Sequence, residues 1–208
     1  KLNPLEKESL KRTSPSDGLW MVMAGQTAFV VIVIALFVVY LAMFRRNYYR
    51  EPNCIALLFS LITFFPVITS VMVERNLFSV YLVPYAMVPI FVRIFLDSRT
   101  AFITLVVTLL LSSISLHGPY EFLLVEMVGG FVAIYSLKEL SQRSQLLRSA
   151  VGVTVMMVVT ALSFDLSQGL ALGALDMHYY THIVINGVFL LFAYPLMYLT
   201  ERAFGFTS

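Results

Sequence analysis

LWMVMAGQTAFVVIVIALFVVYLAMF, residues 19–44, followed at once by RRNYYR, residues 45–50, decides the class of fold. A helix needs about 20 apolar residues to cross roughly 30 Å of bilayer hydrocarbon, and this run supplies them without a single charge. The arginines that close it, Arg45, Arg46 and Arg50, are of the kind retained on the cytoplasmic side of a membrane. A second positive cluster, Lys138, Arg143 and Arg148, follows the fifth apolar run. Together the two clusters orient every hydrophobic run between them.

Composition agrees. With 59% apolar residues, 12% charged residues and a mean hydropathy of +0.85, the 208-residue chain has too little polar surface for a water-soluble globule. Its net charge of +2 is gathered in loop clusters and forms no contiguous basic stripe, so the partner is a lipid bilayer and not nucleic acid. The lone Cys54 excludes a disulfide within the chain and reads as a small buried apolar residue.

Seven runs have the character of spans: Leu19 to Phe44, Cys54 to Val73, Val80 to Leu96, Ala101 to Leu116, Phe122 to Leu137, Ala150 to Leu166 and Ile183 to Thr200. The third to fifth are short. Asp97, Ser98 and Arg99 separate the third from the fourth, and His117, Gly118 and Pro119 form a turn before the fifth. The expected fold is an all-α bundle of seven transmembrane helices. Placing the amino end outside gives the cytoplasmic side Arg45, Arg46, Arg50, Arg99, Lys138, Arg143, Arg148 and Arg202, while the outer loops keep only Arg75. The lead contributes Lys1, Lys7, Lys11 and Arg12 outside, but the opposite orientation would export nearly all the loop positives. Trp20, Tyr48, Tyr49, Tyr120, Tyr179 and Tyr180 fall where this topology puts the headgroups, the interface that amphipathic rings prefer.

The chain divides into a polar extracytoplasmic lead (1–18), a membrane domain (19–200) and a cytoplasmic tail (201–208). The lead reads as the end of something longer, and the first run is a span and not a cleaved signal peptide.

Ionisable residues within a membrane are costly and mark functional sites by default. Glu126, Asp165, Asp176, His178 and His182 all fall toward the outer leaflet and are candidates for one polar cavity binding a ligand or ion. Arg93 is expected to snorkel to the headgroups or to pair with Asp97 four residues on. His178 and His182 share the i,i+4 spacing of metal ligands, with Asp176 or His117 to complete a set, but no zinc-protease Glu follows and no metal site is assigned. Gly129, Gly130 and Ala133 give the fifth helix a face for close packing, and Pro66, Pro84, Pro89 and Pro195 are expected to kink their spans.

Some activities are excluded by what is missing. No lysine follows Lys138, so the late-helix Schiff base of a retinal protein cannot form. Ser112, Ser113 and Ser115 lie near His117 but lack the glycine-flanked nucleophile turn of an intramembrane serine protease.

Three stretches are more specific: Tyr81-Leu82-Val83-Pro84-Tyr85 running to Phe95-Leu96-Asp97-Ser98-Arg99, then Val128-Gly129-Gly130-Phe131 with Arg143 to Arg148, and Tyr194-Pro195 running to Glu201-Arg202-Ala203-Phe204-Gly205-Phe206-Thr207. In that order they resemble the membrane domain of bacterial seven-transmembrane receptors with an intracellular HD hydrolase, the group that includes PgpH-type cyclic di-AMP phosphodiesterases. The resemblance implies a modular parent in the bacterial inner membrane, with an extracellular domain, this bundle, and a cytosolic HD domain binding divalent metals. It is compatible with a homodimer. It implies no catalytic residue here, since His117, His178 and His182 precede Gly118, Tyr179 and Ile183 and never an aspartate. The expected role is a signalling module with its output through Pro195, Glu201, Phe204 and Gly205, and with Arg45, Arg46, Arg50, Lys138, Arg143 and Arg148 as topology anchors or docking loops. The competing reading is a small ion- or proton-coupled transporter or channel using Glu126 and Asp165.

Overall fold

A computed structural model describes residues 15–76, 78–136, 143–171, 173 and 175–205. Among these residues the structure is helical and contains no strand. In chain order the helices are α1 (Pro15–Phe44), the short α2 (Arg46–Arg50), α3 (Pro52–Arg75), α4 (Met87–Phe95), α5 (Ser98–Ser113), α6 (Pro119–Ser136), α7 (Arg143–Ser167), α8 (Met177–Phe189) and α9 (Ala193–Phe204). Lys138 and the side chain of Arg143 lie outside what is described. Four stretches among the described residues are long and apolar enough to cross a membrane: Gly18–Phe44, Pro52–Arg75, Leu147–Ser167 and Met177–Phe204, the last combining α8 and α9. Val80–Phe95 and Ser98–Ser113 are apolar but shorter. Large apolar side chains including Leu36, Phe64, Val155 and Leu199 stand exposed along these helices, a surface that water would not tolerate and lipid solvates.

The third run departs from its expected form. In place of one helix from Val80 to Leu96, a 3-10 turn at Val80–Leu82 leads into extended backbone, and α4 begins only at Met87. Pro84 is the reason. The residue before a proline is pushed out of the α region, and Val83 sits at φ −75°, ψ 116°. Pro89, by contrast, lies in the first turn of α4, where a missing N–H costs nothing. Pro195 likewise falls in the first turn of α9, leaving Pro66 of α3 as the proline within a helix interior.

Lipid chains are as apolar as leucine, so helices associate here through close packing and polar contacts and not through exclusion of water. The glycines of α6 show this. A Cβ on Gly130 would lie 2.1 Å from Leu105 Cδ2 of α5, and one on Gly129 would lie 2.8 Å from Met157 Sδ of α7, while Ala133 is fully buried. Along α5, Thr100, Thr104, Thr108 and Ser112 form a buried stripe at four-residue spacing. The last three hydroxyls donate to the carbonyls of Thr100, Thr104 and Thr108 at 2.7–2.8 Å, which satisfies them inside an apolar bundle.

At one end of the bundle Asp97 joins two turns. Its Oδ1 accepts from the Thr100 amide at 2.8 Å, capping α5, and its Oδ2 forms an ion pair with Arg45 after α1. Arg93 donates to Ser98 Oγ at 2.7 Å. Arg45 therefore has a structural partner in addition to any role in topology. Asp97→Ala removes cap and ion pair together and is expected to cost about 1–2 kcal/mol by thermal unfolding in detergent. Asp97→Asn keeps the cap, so its loss is expected to stay under about 1 kcal/mol.

Candidate functional site

The irregular stretch around Pro84 creates the most distinctive site. Non-helical backbone at membrane depth is tolerated only where protein satisfies its polar groups. Val83 O receives the Tyr85 amide at 2.9 Å, leaving Tyr81 O in need of a donor. Asn186, fully buried on α8, supplies it: Nδ2 donates to Tyr81 O at 2.8 Å and to Val83 O at 3.0 Å. The same nitrogen lies 3.5 Å from Oε1 of Glu126, which reaches in from α6 and is also fully buried. One amide thus latches three parts of the chain together, α8, the segment at 81–84 and α6.

Aromatic rings surround the latch. Phe65 of α3 packs on Tyr85 at 5.3 Å, Tyr85 on Phe122 of α6 at 5.3 Å, Phe122 on Tyr81 at 6.2 Å, and Tyr81 on Tyr179 of α8 at 4.6 Å. The Tyr85 hydroxyl meets Thr69 Oγ1 of α3. Within this shell Glu126 Oε2 and Asn186 Oδ1 have no hydrogen-bond partner.

The other sequence candidates are placed separately. Asp165, half-buried on α7, accepts from Tyr180 Oη at 2.6 Å. Asp176 is exposed and caps α8 by accepting from the His178 amide at 2.9 Å, and His178 is itself exposed. His182, half-buried, has an unpartnered Nδ1. Glu126 is fully buried and does not stand on the wall of an open cavity. Among the described residues no three His, Cys, Asp or Glu side chains are placed to share a metal ion. The serines near His117 are engaged: Ser112 and Ser113 donate to carbonyls of their own helix, and Ser115 bonds Ser70 at 2.5 Å.

Asn186 was not among the sequence candidates. An amide inside the run Ile183–Thr200 is the signal that points to it, since a buried amide in a membrane helix must find partners. The helix carrying Asn186 continues through a 3-10 turn at Leu190–Phe192 into α9. Pro195 cannot donate to the Leu191 carbonyl, and the Ala193 amide is shared between Leu190 O and Leu191 O. Phe204 packs on the core, Gly205 ends α9 at φ 68°, and the Gly205 Cβ position lies 3.9 Å from Asn53 Nδ2 at the start of α3. Arg46, Arg50 and Arg148 are exposed, and Glu201 is half-buried.

These features define a multi-pass, all-helical membrane domain whose latch residues Asn186 and Glu126 are buried and whose last helix ends beside the turn between α1 and α3. The family model described as 7TM receptor with intracellular HD hydrolase matches residues 20–208, and the chain belongs to that family. No curated protein and no solved structure matches it.

Proposed function

We propose that the chain is the transmembrane signalling module of a bacterial receptor that sets the activity of a cytosolic HD-type cyclic di-AMP phosphodiesterase. It sits in the inner membrane with seven spans, the amino end outside and the carboxyl end inside. Residues 1–18 are the extracytoplasmic lead, 19–200 the bundle and 201–208 the link to the hydrolase. The single observation that carries this reading is family membership over residues 20–208, ending in a helix that exits beside Asn53 and the arginine-bearing turn.

The chain transmits and does not itself hydrolyse. Divalent metals belong to the His-Asp centre of the hydrolase; none of His117, His178 or His182 is followed by aspartate. A signal acts through whatever difference in affinity it has for two arrangements of the bundle. The Asn186 latch fixes α8 to the 81–84 segment, and the 3-10 joint at 190–192 passes a shift of α8 on to α9. Arg46, Arg50 and Arg148, all exposed, offer a docking face for the hydrolase. A transport reading needs Glu126 on a path, and its buried position argues against one.

Topology is tested with an impermeant thiol reagent on intact cells. Cys54 is buried and unsuited as the reporter, so cysteine is placed at exposed sites in a Cys54→Ser background. Gly118→Cys is expected to label from outside and Arg46→Cys only after permeabilisation. The reverse pattern would contradict the orientation.

A further inference from the structure

Helix α1 joins the bundle through only its carboxyl half. Val33, Phe37 and Leu41 are buried at four-residue spacing, whereas no residue from 18 to 32 is buried. α3 packs along α5, and α1 meets α5 but hardly touches α3. Between them lies a cleft of about 1070 Å³, floored by Leu111 and Ile114 at the end of α5. Its walls are mostly apolar, with Val30 and Ile34 on α1 facing Phe59, Ile62 and Val67 on α3 and a threonine on each, Thr27 and Thr63, and its mouth carries Gln26, Glu74 and His117.

We propose that this cleft binds one phospholipid bearing an ammonium headgroup. Eleven residue steps from Met23 to Ile34, both lining the cleft, correspond to about 16 Å of helix, roughly half the hydrocarbon thickness. The depth is that of one leaflet. A transmembrane helix from a second copy would need twice that length, and Val33, Phe37 and Leu41 close the lower part of α1 onto the bundle. The volume lies just above the range of about 300–1,000 Å³ usual for ligand pockets, which suits acyl chains better than a small polar solute. At the mouth, the exposed Glu74 carboxylate matches an ammonium, while Gln26 and His117 offer donors to phosphate oxygens. One turn below Glu74, Ser70 and Ser115 satisfy each other at 2.5 Å and so leave the carboxylate as the charged group at the mouth.

This assignment does not depend on the hydrolase or its substrate. The full chain is assembled into nanodiscs of phosphatidylethanolamine and phosphatidylglycerol in equal amounts, moved to detergent, and its retained lipids are read by native mass spectrometry. Phosphatidylethanolamine is expected to be retained over phosphatidylglycerol by about tenfold, a preference lost in Glu74→Gln. Val67→Trp and Val31→Trp, which start from exposed positions on opposite sides of the cleft, are expected to displace the lipid without entering the core. Equal retention of the two lipids by the natural chain, or retention unchanged by both tryptophan variants, would overturn the proposal. So would disulfide cross-linking of two copies through Thr27→Cys, which would assign the cleft to a protein neighbour.

Discussion

Asn186→Leu is expected to lower the unfolding free energy of the bundle by about 2–3 kcal/mol, because a buried acceptor left without its donor costs about 1–3 kcal/mol. Leucine matches asparagine in size, so the loss comes from the carbonyls and not from a cavity. Tyr81 O loses its partner, while Val83 O keeps the Tyr85 amide. The damage should therefore appear locally, as faster amide exchange at Tyr81–Ala86 and on the facing turn of α6. Tyr180→Phe is the contrast, since its bond to Asp165 is only part-buried and its removal is expected to cost no more than about 1.5 kcal/mol. If both variants shift the thermal midpoint equally, Asn186 is not the latch described above.

Gly187→Ala is expected to be the most damaging methyl addition in the chain. The new Cβ would stand 1.7 Å from Thr154 Oγ1, 2.9 Å from its Cβ and 3.1 Å from its Cγ2. Thr154 cannot easily yield, because it is β-branched and its hydroxyl donates to Ala150 O at 2.8 Å. Helix α8 must move away from α7, at a cost of about 3 kcal/mol, the upper end for overpacking. The double variant Gly187→Ala/Thr154→Ala removes the obstacle and is expected to recover most of the loss, a coupling that unrelated destabilisation would not produce. Gly130→Ala is milder despite its 2.1 Å approach, since the atom it meets is the flexible end of Leu105.

How much of this was legible in the sequence depends on whether the determinant is a run or a meeting. The long apolar runs gave α1, α3 and α7 directly, and the loop residues Asp97 and His117–Pro119 fall at real boundaries. The third run misled because its composition is apolar throughout, while Pro84 acts on the backbone and not on hydropathy. Pro89 falls in the first turn of α4 and not inside a longer helix, a matter of register that a run of apolar residues does not reveal, whereas Pro195 follows the 3-10 turn that interrupts the stretch Met177–Phe204. Glu126 stood out as an acid within a span. Its neighbour Asn186, 60 residues away, is joined to it by the fold alone. Asp97 also forms an ion pair with Arg45, a partner 52 positions away in sequence that the α1–α3 turn carries alongside it.

The central claim is that the last helix passes a state of the bundle to the hydrolase. It is tested by Pro195→Ala in the full-length receptor, held in nanodiscs, with cyclic di-AMP hydrolysis as the readout. Alanine supplies at 195 the amide that proline cannot, so the Leu191 carbonyl, now served only by the shared Ala193 amide, gains an α-helical donor and the 3-10 joint can give way to continuous helix without touching the latch. The account predicts a hydrolysis rate changed by about tenfold, the effect of a 1.4 kcal/mol shift between two states, with the thermal midpoint of the bundle nearly unmoved. An unchanged rate, or a receptor that leaves cyclic di-AMP intact, would contradict it.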